Sequence, residues 1–231
     1  MKKLFVLIAA ACMTCTAAFA QTVKPFKEGE RAVFLGNSIT DGGHYHSYIW
    51  LYYMTRFPDM PIRVFNGGIG GDTAYDMNKR LDGDIFAMKP SVLMVTFGMN
   101  DSGYFEYNGD KPKEFGEQKY QESIKNYQQM EKRFKDLPDT RIVMVGTSPY
   151  DETVQLKENT PFKTKNETIK RLVEYQKESA AKNNWEFTDL NAPMTAINQQ
   201  YQQKDPTFTL CGSDRIHPDN DCLLYTSDAA D

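Results

Sequence analysis

The sequence has 231 residues and a formal net charge of −4, with acidic and basic side chains interspersed along the chain. This balance provides no basic surface for nucleic acid, and after residue 20 no apolar run approaches the ~20 residues needed to cross a bilayer. The remaining length is that of one domain with a sizeable core, since domains typically have about 100–200 residues.

The first element in the chain is a leader over residues 1–20. Lys2 and Lys3 precede the apolar run 4–11, and small residues occupy the two positions that a signal peptidase reads before Gln21. We therefore expect cleavage before Gln21 and an exported protein, either periplasmic or extracellular.

The leader contains Cys12 and Cys15, which allow two other interpretations. A lipid anchor would use one of them, but neither follows the usual Leu-led run of small residues, so export without an anchor is favoured. Their spacing is also that of a redox or metal pair, but both lie in the segment predicted to be removed. Beyond the leader only Cys211 and Cys222 remain, which does not imply a disulfide framework.

Short apolar runs rich in β-branched residues alternate with longer segments of helical period. Near-continuous apolar strands of this length suit a sheet that is covered on both faces. The alternation of strand and helix predicts a parallel α/β sheet with right-handed crossovers, in which ligands bind at the carboxyl ends of the strands. The predicted strands cover residues 32–35, 62–65, 92–97, 142–145 and 185–187.

Helical periodicity appears between these strands. Apolar residues at a three-to-four spacing predict an amphipathic helix over 117–136. A less regular pattern predicts a helix over 166–183 with Asn166 as its N-cap, and an aromatic-rich segment predicts a helix over 46–57 that Pro58 ends. The longest segments without periodicity, which we expect to be loops beside the site, are 101–116 and 147–163.

The end of the chain differs in composition from the rest. The segment 222–231 reads CLLYTSDAAD and resembles translated sequencing-adapter sequence. We therefore expect one domain over 21–221, truncated at its C-terminal end and followed by a non-native tail.

Polar or glycine-rich segments follow the first three predicted strands, and another polar segment lies near the end of the chain. Because the carboxyl ends of parallel strands meet at one edge of a sheet, these segments should converge in space although they are scattered in sequence. They are Gly36-Asn37-Ser38, 66–72, 98–101 and 214–218.

Together these segments contain the groups that nucleophilic acyl transfer requires: a hydroxyl, a base, a carboxylate that orients the base, and donors for the oxyanion. Ser38 supplies the hydroxyl, and His217 supplies the base, with Asp214 three positions upstream in the same polar segment. The candidate oxyanion donors are the backbone amides of Ser38 and Gly71 and the side-chain amide of Asn100.

The segments GNSITDGG, NGGIGGDT, GMND and DRIHPD resemble, in matching order, the four sequence blocks of the SGNH hydrolases, the GDSL-type esterase and lipase superfamily. The resemblance extends over residues 31–219. It implies a flavodoxin-like three-layer αβα sandwich with a parallel sheet of about five strands. It also implies that Ser38 is the nucleophile, that Gly71 and Asn100 complete the oxyanion hole, and that Asp214 and His217 complete the triad.

One position departs from the family pattern. The first block usually has Asp before the Ser, whereas this chain has Asn37. Asn can keep similar local hydrogen bonds to the backbone, so we expect activity to survive. Asp41, Asp72 and Asp101 are interpreted as supporting or pocket-lining residues.

No metal or organic cofactor is predicted. His44 and His46 alternate with a Tyr, and no third ligand at a suitable spacing follows, so we expect them to line the pocket or to start a helix. The glycines of 67–71 lack the G-x-G-x-x-G spacing of a dinucleotide site, and no acidic residue ends a following strand as a ribose partner.

The resemblance and the leader together imply a secreted serine esterase that forms an acyl-enzyme on a small-molecule or glycan ester. Export and the Tyr and Trp residues near the site favour release of acetyl or other short acyl groups from carbohydrates. One alternative is a lipase, lysophospholipase or thioesterase that acts on lipid-like acyl substrates. Another, from a different class, is a non-catalytic carbohydrate-binding domain on the same fold.

Overall fold

A computed structural model describes residues 21–218 of the chain. The predicted leader at 1–20 and the segment 222–231 lie outside the described residues. Within the described part, a parallel sheet carries helices on both faces. Its strands are β1 (Gln21–Thr22), β2 (Arg31–Gly36), β3 (Arg63–Gly68), β4 (Val92–Val95), β5 (Arg141–Gly146) and β6 (Glu186–Asp189).

The strand order is β1-β6-β5-β4-β2-β3, and every neighbouring pair is parallel. Apart from the two-residue edge strand β1, this is the order 2-1-3-4-5 of flavodoxin-like folds. The predicted fold class is therefore confirmed, and each predicted strand boundary lies within three residues of the observed one.

Helices connect the strands and cover the sheet. None of the helices in residues 21–218 is both long and apolar enough to cross a membrane. A π-helical turn over Leu81–Ile85 and 3₁₀ turns over Phe86–Met88 and Phe105–Asn108 join the longer elements. The α-helices are α1 (Ser38–Asp41), α2 (His44–Arg56), α3 (Ala74–Arg80), α4 (Pro112–Lys135), α5 (Lys165–Asn183) and α6 (Asn191–Gln202).

The apolar core consists of a layer on each face of the sheet. Successive residues of a strand point to opposite faces, so Val33 and Phe34 of β2 enter different layers. Val33 packs in the layer that contains Tyr127 of α4, and Phe34 packs in the layer that contains Tyr45 of α2. This arrangement explains why the strands are apolar throughout rather than alternating.

Two details of the predicted helices are wrong. Helix α4 begins at Pro112 and not at residue 117. A proline is suited to the first turn of a helix, but this turn has few apolar residues, so the apolar period does not reveal it. Asn166 is not an N-cap, because α5 already begins at Lys165. The Asn166 Oδ1 instead accepts a hydrogen bond from the amide of Tyr150 at 3.2 Å.

Helices α3 and α6 are not predicted by the sequence pattern. Helix α3 is short, although Thr73 and Asp76 form a capping box at its start and are a readable signal for it. Helix α6 buries the polar side chains of Asn191 and Asn198, which interrupt its apolar period.

The ends of β2 and β3 position the first residues of the site. Gly36 pairs with Gly68 in the register of the sheet, and α1 follows β2 almost directly. A Cβ atom on Gly68 would lie only 2.3 Å from the amide nitrogen of Asp41, so glycine is required where α1 meets β3. This close approach places Ser38, the first residue of α1, at the carboxyl edge of the sheet.

Candidate active site

Ser38 lies at the junction of β2 and α1. Asn37 is the N-cap of α1, and its Oδ1 accepts a hydrogen bond from the amide of Ile39 at 3.1 Å. The carbonyl oxygen of Asn37 accepts from the amides of Thr40 and Asp41. Asn37 therefore makes the local backbone bonds that the sequence predicted for this position.

Asp214 and His217 occupy one turn near the end of the described residues, far from Ser38 in sequence. The amides of Ile216 and His217 donate to Asp214 Oδ1 at 2.8 and 3.0 Å, which fixes the carboxylate. Its Oδ2 lies 2.5 Å from His217 Nδ1. The other ring nitrogen, Nε2, lies 2.7 Å from the Ser38 Oγ. The structure thus brings these side chains into one continuous line of hydrogen bonds.

The charge state of the pair follows from these bonds. Burial alone would raise the pKa of Asp214, but hydrogen bonds from the His217 ring and from backbone amides outweigh it and hold that pKa below its usual range. The bond to Asp214 in turn raises the pKa of His217. Because an ionised carboxylate can only accept, the neutral imidazole carries its proton on Nδ1, and its Nε2 accepts a hydrogen bond from the Ser38 hydroxyl.

Arg215 anchors the Asp214 to His217 turn, and the sequence interpretation missed it. Its side chain is 1% exposed, and its guanidinium donates to the carbonyl oxygens of Asp151, Val154 and Asn159 at 2.6–3.0 Å. These acceptors lie 56 to 64 positions away along the chain, so no local spacing could reveal the contact. The backbone of Arg215 has φ 67°, a left-handed conformation that favours glycine.

The predicted oxyanion donors come from three different elements. Gly71 lies in the loop between β3 and α3 with φ 85°, which glycine adopts without strain. Among residues 21–218, the backbone amides of Ser38 and Gly71 have no hydrogen-bond acceptor and are available to a ligand. The side-chain amide of Asn100 donates to the carbonyl oxygen of Asp72 at 2.9 Å, next to Gly71 in the chain.

The carboxylates interpreted as supporting residues brace the loops of the site. Asp101 is buried, and it accepts from the amides of Ala74 and Gly98 at 2.9 and 3.0 Å, so it links the start of α3 to the loop after β4. Burial raises the pKa of Asp101, although these bonds act against the rise. Asp72 pairs with Arg80 at 2.6 Å.

Among the described residues, the side chains of Asp41 and the two nearby histidines make no hydrogen bond to Ser38, Asp214 or His217. The carbonyl oxygen of Asp41 accepts from the Asn66 side chain at 3.0 Å, and its carboxylate lies near Gly70. His44 is the first residue of α2, as expected. His46 is buried against Phe34, with ring centroids 5.3 Å apart, and therefore belongs to the core rather than to a pocket wall.

The candidate site is open to solvent. The side chains of Asp214 and His217 are 47% and 46% exposed. A surface groove of about 360 Å³ lies elsewhere, lined by α5 and α6, and contains none of the predicted site residues. The candidate site is therefore identified by its reactive side chains and not by a deep cavity.

Comparison with known families defines the class of the protein. A family described as GDSL-like lipase/acylhydrolase matches residues 34–221. The chain belongs to the GDSL-like lipase/acylhydrolase family, as the four sequence motifs predicted.

Individual relatives cover different shares of the chain. An acetylxylan esterase of Geobacillus stearothermophilus is 33% identical over an 88-residue alignment that covers 32% of this chain and 40% of the relative. The solved structure of BT4096, a gut microbial diltiazem-metabolizing enzyme, is 82% identical with a TM-score of 0.88. That match covers 90% of this chain but only 47% of the other, so this chain spans about half the length of BT4096.

A more distant structure shares the fold. Axe2, an acetylxylan esterase from Geobacillus stearothermophilus, has a TM-score of 0.67 and is 23% identical. The match covers 88% of this chain and 93% of Axe2, so the described sheet and helices correspond to nearly the whole of that protein.

Proposed function

We propose that the protein is an exported serine esterase that releases acetyl or other short acyl groups from carbohydrates. The observation that carries the proposal is the continuous contact from the Ser38 Oγ through both ring nitrogens of His217 to Asp214, with separations of 2.7 and 2.5 Å. A hydroxyl, a base and a carboxylate that orients the base form the arrangement used in acyl transfer. The basic and apolar leader at 1–20 supports export.

In the proposed reaction, Ser38 attacks the ester carbonyl carbon while Nε2 of His217 takes the hydroxyl proton. Asp214 stabilises the imidazolium that forms, and the oxyanion accepts from the amides of Ser38 and Gly71 and from the side-chain amide of Asn100. His217 then gives its proton to the leaving alcohol. Water, deprotonated by the same ring, hydrolyses the acyl-enzyme and releases the acid.

The proposed acyl group is acetyl because of the substrates that the relatives' names give. Acetylated xylan and diltiazem differ greatly in their alcohol portions, but each carries an acetyl ester of a secondary alcohol. An open site with half-exposed Asp214 and His217 supports a small acyl group joined to a bulky alcohol that stays in solvent.

Acetate release tests the proposal directly. The wild-type chain and Ser38→Ala would be incubated with acetylated xylo-oligosaccharides and, separately, with diltiazem. We expect the wild type to release acetate and Ser38→Ala to lose at least about a thousandfold in turnover, because the nucleophile is absent. Turnover retained by a folded Ser38→Ala protein would remove Ser38 from the mechanism.

Two further measurements separate the proposal from its alternatives. Rates on p-nitrophenyl esters of increasing chain length should fall beyond the short acyl groups, whereas a lipase or a thioesterase for lipid-like substrates would improve with chain length.

A fluorophosphonate should label the wild type at Ser38, because it reacts only with an activated serine. A non-catalytic carbohydrate-binding domain would remain unlabelled.

A further inference from the structure

The side-chain amide of Asn100 is held at both of its ends. Its Nδ2 donates to the carbonyl oxygen of Asp72 at 2.9 Å, and its Oδ1 accepts from the hydroxyl of Tyr104 at 2.5 Å. Because a carbonyl oxygen can only accept, the amide nitrogen must face Asp72 and the amide oxygen must face Tyr104. The nitrogen carries two N–H groups, so one remains for an oxyanion after the bond to Asp72.

The hydroxyl of Tyr104 is a stable donor. Burial raises the pKa of Tyr104, and the charges of Asp101 and Asp214 act in the same direction. The phenol therefore keeps its proton throughout the pH range of an esterase assay. In that state it can donate to the amide oxygen of Asn100.

Lys165, the first residue of α5, holds the loop that carries Asn100. Its side chain is fully buried, and its Nζ lies 2.7 Å from the carbonyl oxygen of Met99 and 2.5 Å from that of Gly103. A third contact, at 2.6 Å, is with the Ser102 hydroxyl. Burial lowers the pKa of Lys165 to about 7, and below that pH the three N–H groups of the protonated amine match these three acceptors.

Lys165 also contacts Tyr104 directly. Its Nζ lies 4.0 Å from the centroid of the Tyr104 ring, within cation–π distance. The same buried amine therefore holds the backbone on both sides of Asn100 and the ring whose hydroxyl reaches its amide.

We infer that Tyr104, held by Lys165, is a positioning residue that orients the Asn100 amide toward the oxyanion. The inference rests on the proposed function, in which Asn100 donates to the oxyanion. Neither Tyr104 nor Lys165 contacts the reacting atoms in that mechanism, so their effect on the reaction passes through Asn100.

The variant Tyr104→Phe tests this role because it removes the hydroxyl and keeps the ring over Lys165. With p-nitrophenyl acetate, kcat should fall about tenfold and KM should stay near the wild-type value, since the amide acts on the transition state. Removal of an oxyanion donor, as in Asn100→Ala, typically lowers kcat by roughly a hundredfold to a thousandfold. The loss in Tyr104→Phe should be smaller, because the donor itself remains. Unchanged kcat in Tyr104→Phe would overturn the inference.

Tyr107→Phe is the matched control. The Tyr107 hydroxyl lies 2.8 Å from the Ser102 carbonyl oxygen and 3.0 Å from the Thr168 hydroxyl, so it supports the same loop without contacting Asn100. We expect Tyr107→Phe to lower the thermal unfolding midpoint and to leave kcat unchanged. An equal loss of kcat in both variants would show that Tyr104 only stabilises the loop, which would also overturn the inference.

A double-mutant cycle shows whether Tyr104 acts through Asn100. In the Asn100→Ala background, adding Tyr104→Phe should change kcat by less than about twofold, because residues that act through one group are not additive. A full tenfold loss in that background would contradict the inference. If Asn100→Ala itself kept the wild-type kcat, the oxyanion role of Asn100 in the proposed function would be contradicted. If Tyr104→Phe kept the wild-type kcat while Asn100→Ala lost it, only the positioning role of Tyr104 would be contradicted.

Discussion

Nε2 of His217 lies 2.7 Å from Oγ of Ser38, although 179 positions separate the two residues along the chain. The contact exists because the turn that carries His217 closes over the sheet edge at which α1 begins. The other ring nitrogen bonds to Asp214, so each nitrogen of His217 has one defined partner. This geometry determines how ester hydrolysis should depend on pH.

Activity should fall as the pH drops through the pKa of His217, because the proposed mechanism uses the neutral imidazole as base. The bond to Asp214 raises that pKa above the ordinary value of 6.5. The acid limb of kcat/KM for p-nitrophenyl acetate should therefore have its midpoint above pH 6.5, measured over about pH 5 to 9. A midpoint below this value would contradict the assignment of His217 as the base.

The variant Asp214→Asn is the control for this pH dependence. Without the carboxylate, the titration of the His217 ring, followed by NMR, should move to lower pH, and kcat should fall by roughly 10⁴. The raised pKa also stabilises the folded wild type below pH 6.5, and this contribution is lost as the pH rises through the pKa of the folded state. An unshifted His217 titration in Asp214→Asn would show that the carboxylate does not influence the ring.

Replacing the buried Arg215 should destabilise the fold even though it relieves backbone strain. Arg215→Gly removes a left-handed conformation that is unfavourable by about 1 kcal/mol, but it leaves the carbonyl oxygens of Asp151, Val154 and Asn159 without their donor. We expect the free energy of unfolding to fall by about 3 kcal/mol, measured by urea denaturation.

Lys89→Gly is the matched control for Arg215→Gly. Lys89 has φ 50°, and its side chain is exposed, so the substitution relieves the same kind of strain without removing a buried group. Its free energy of unfolding should stay equal or rise by up to about 1 kcal/mol. Equal stability of the two variants would mean that the Arg215 guanidinium contributes nothing to the fold.

The strands and the residues of the candidate site could be predicted because their signals are local. An apolar run such as 92–97 marks a buried strand wherever it occurs, and the polar segments after the strands converge because parallel strands share one edge. Gly36 pairs with Gly68 at the ends of their strands, so Ser38, two residues after Gly36, lies at that edge.

The residues that hold the site could not be predicted, because their roles depend on contacts between distant segments. Lys165 lies 66 positions from Met99, and a Lys at the start of a helix reads as a solvated residue. Asn166 reads as an N-cap because the pattern carries no sign of its bond to Tyr150. In each case the tertiary contact, and not the local preference, determines what the side chain does.

The Asn at position 37 should serve as well as the Asp usual in the family. Asn37→Asp keeps an acceptor for the Ile39 amide and removes the buried Nδ2, which has no partner among the described residues. Asn37→Ala loses the cap and should lower the free energy of unfolding by about 1 kcal/mol. We expect Asn37→Asp to keep kcat within about twofold and to be more stable than Asn37→Ala, since cap residues are ranked in this way. The opposite order of stability would show that the cap bond does not govern this position.

Gly68→Ala should disturb the nucleophile from the neighbouring strand. The added Cβ would lie 2.3 Å from the Asp41 amide nitrogen and 2.7 Å from the Thr40 carbonyl carbon, so α1 and Ser38 must move. We expect a loss of about 1–3 kcal/mol in the free energy of unfolding together with a fall in kcat on p-nitrophenyl acetate. Gly83→Ala, whose Cβ would meet nothing within 4 Å, should keep both values. If Gly68→Ala behaves like Gly83→Ala, the approach of α1 to β3 does not position Ser38.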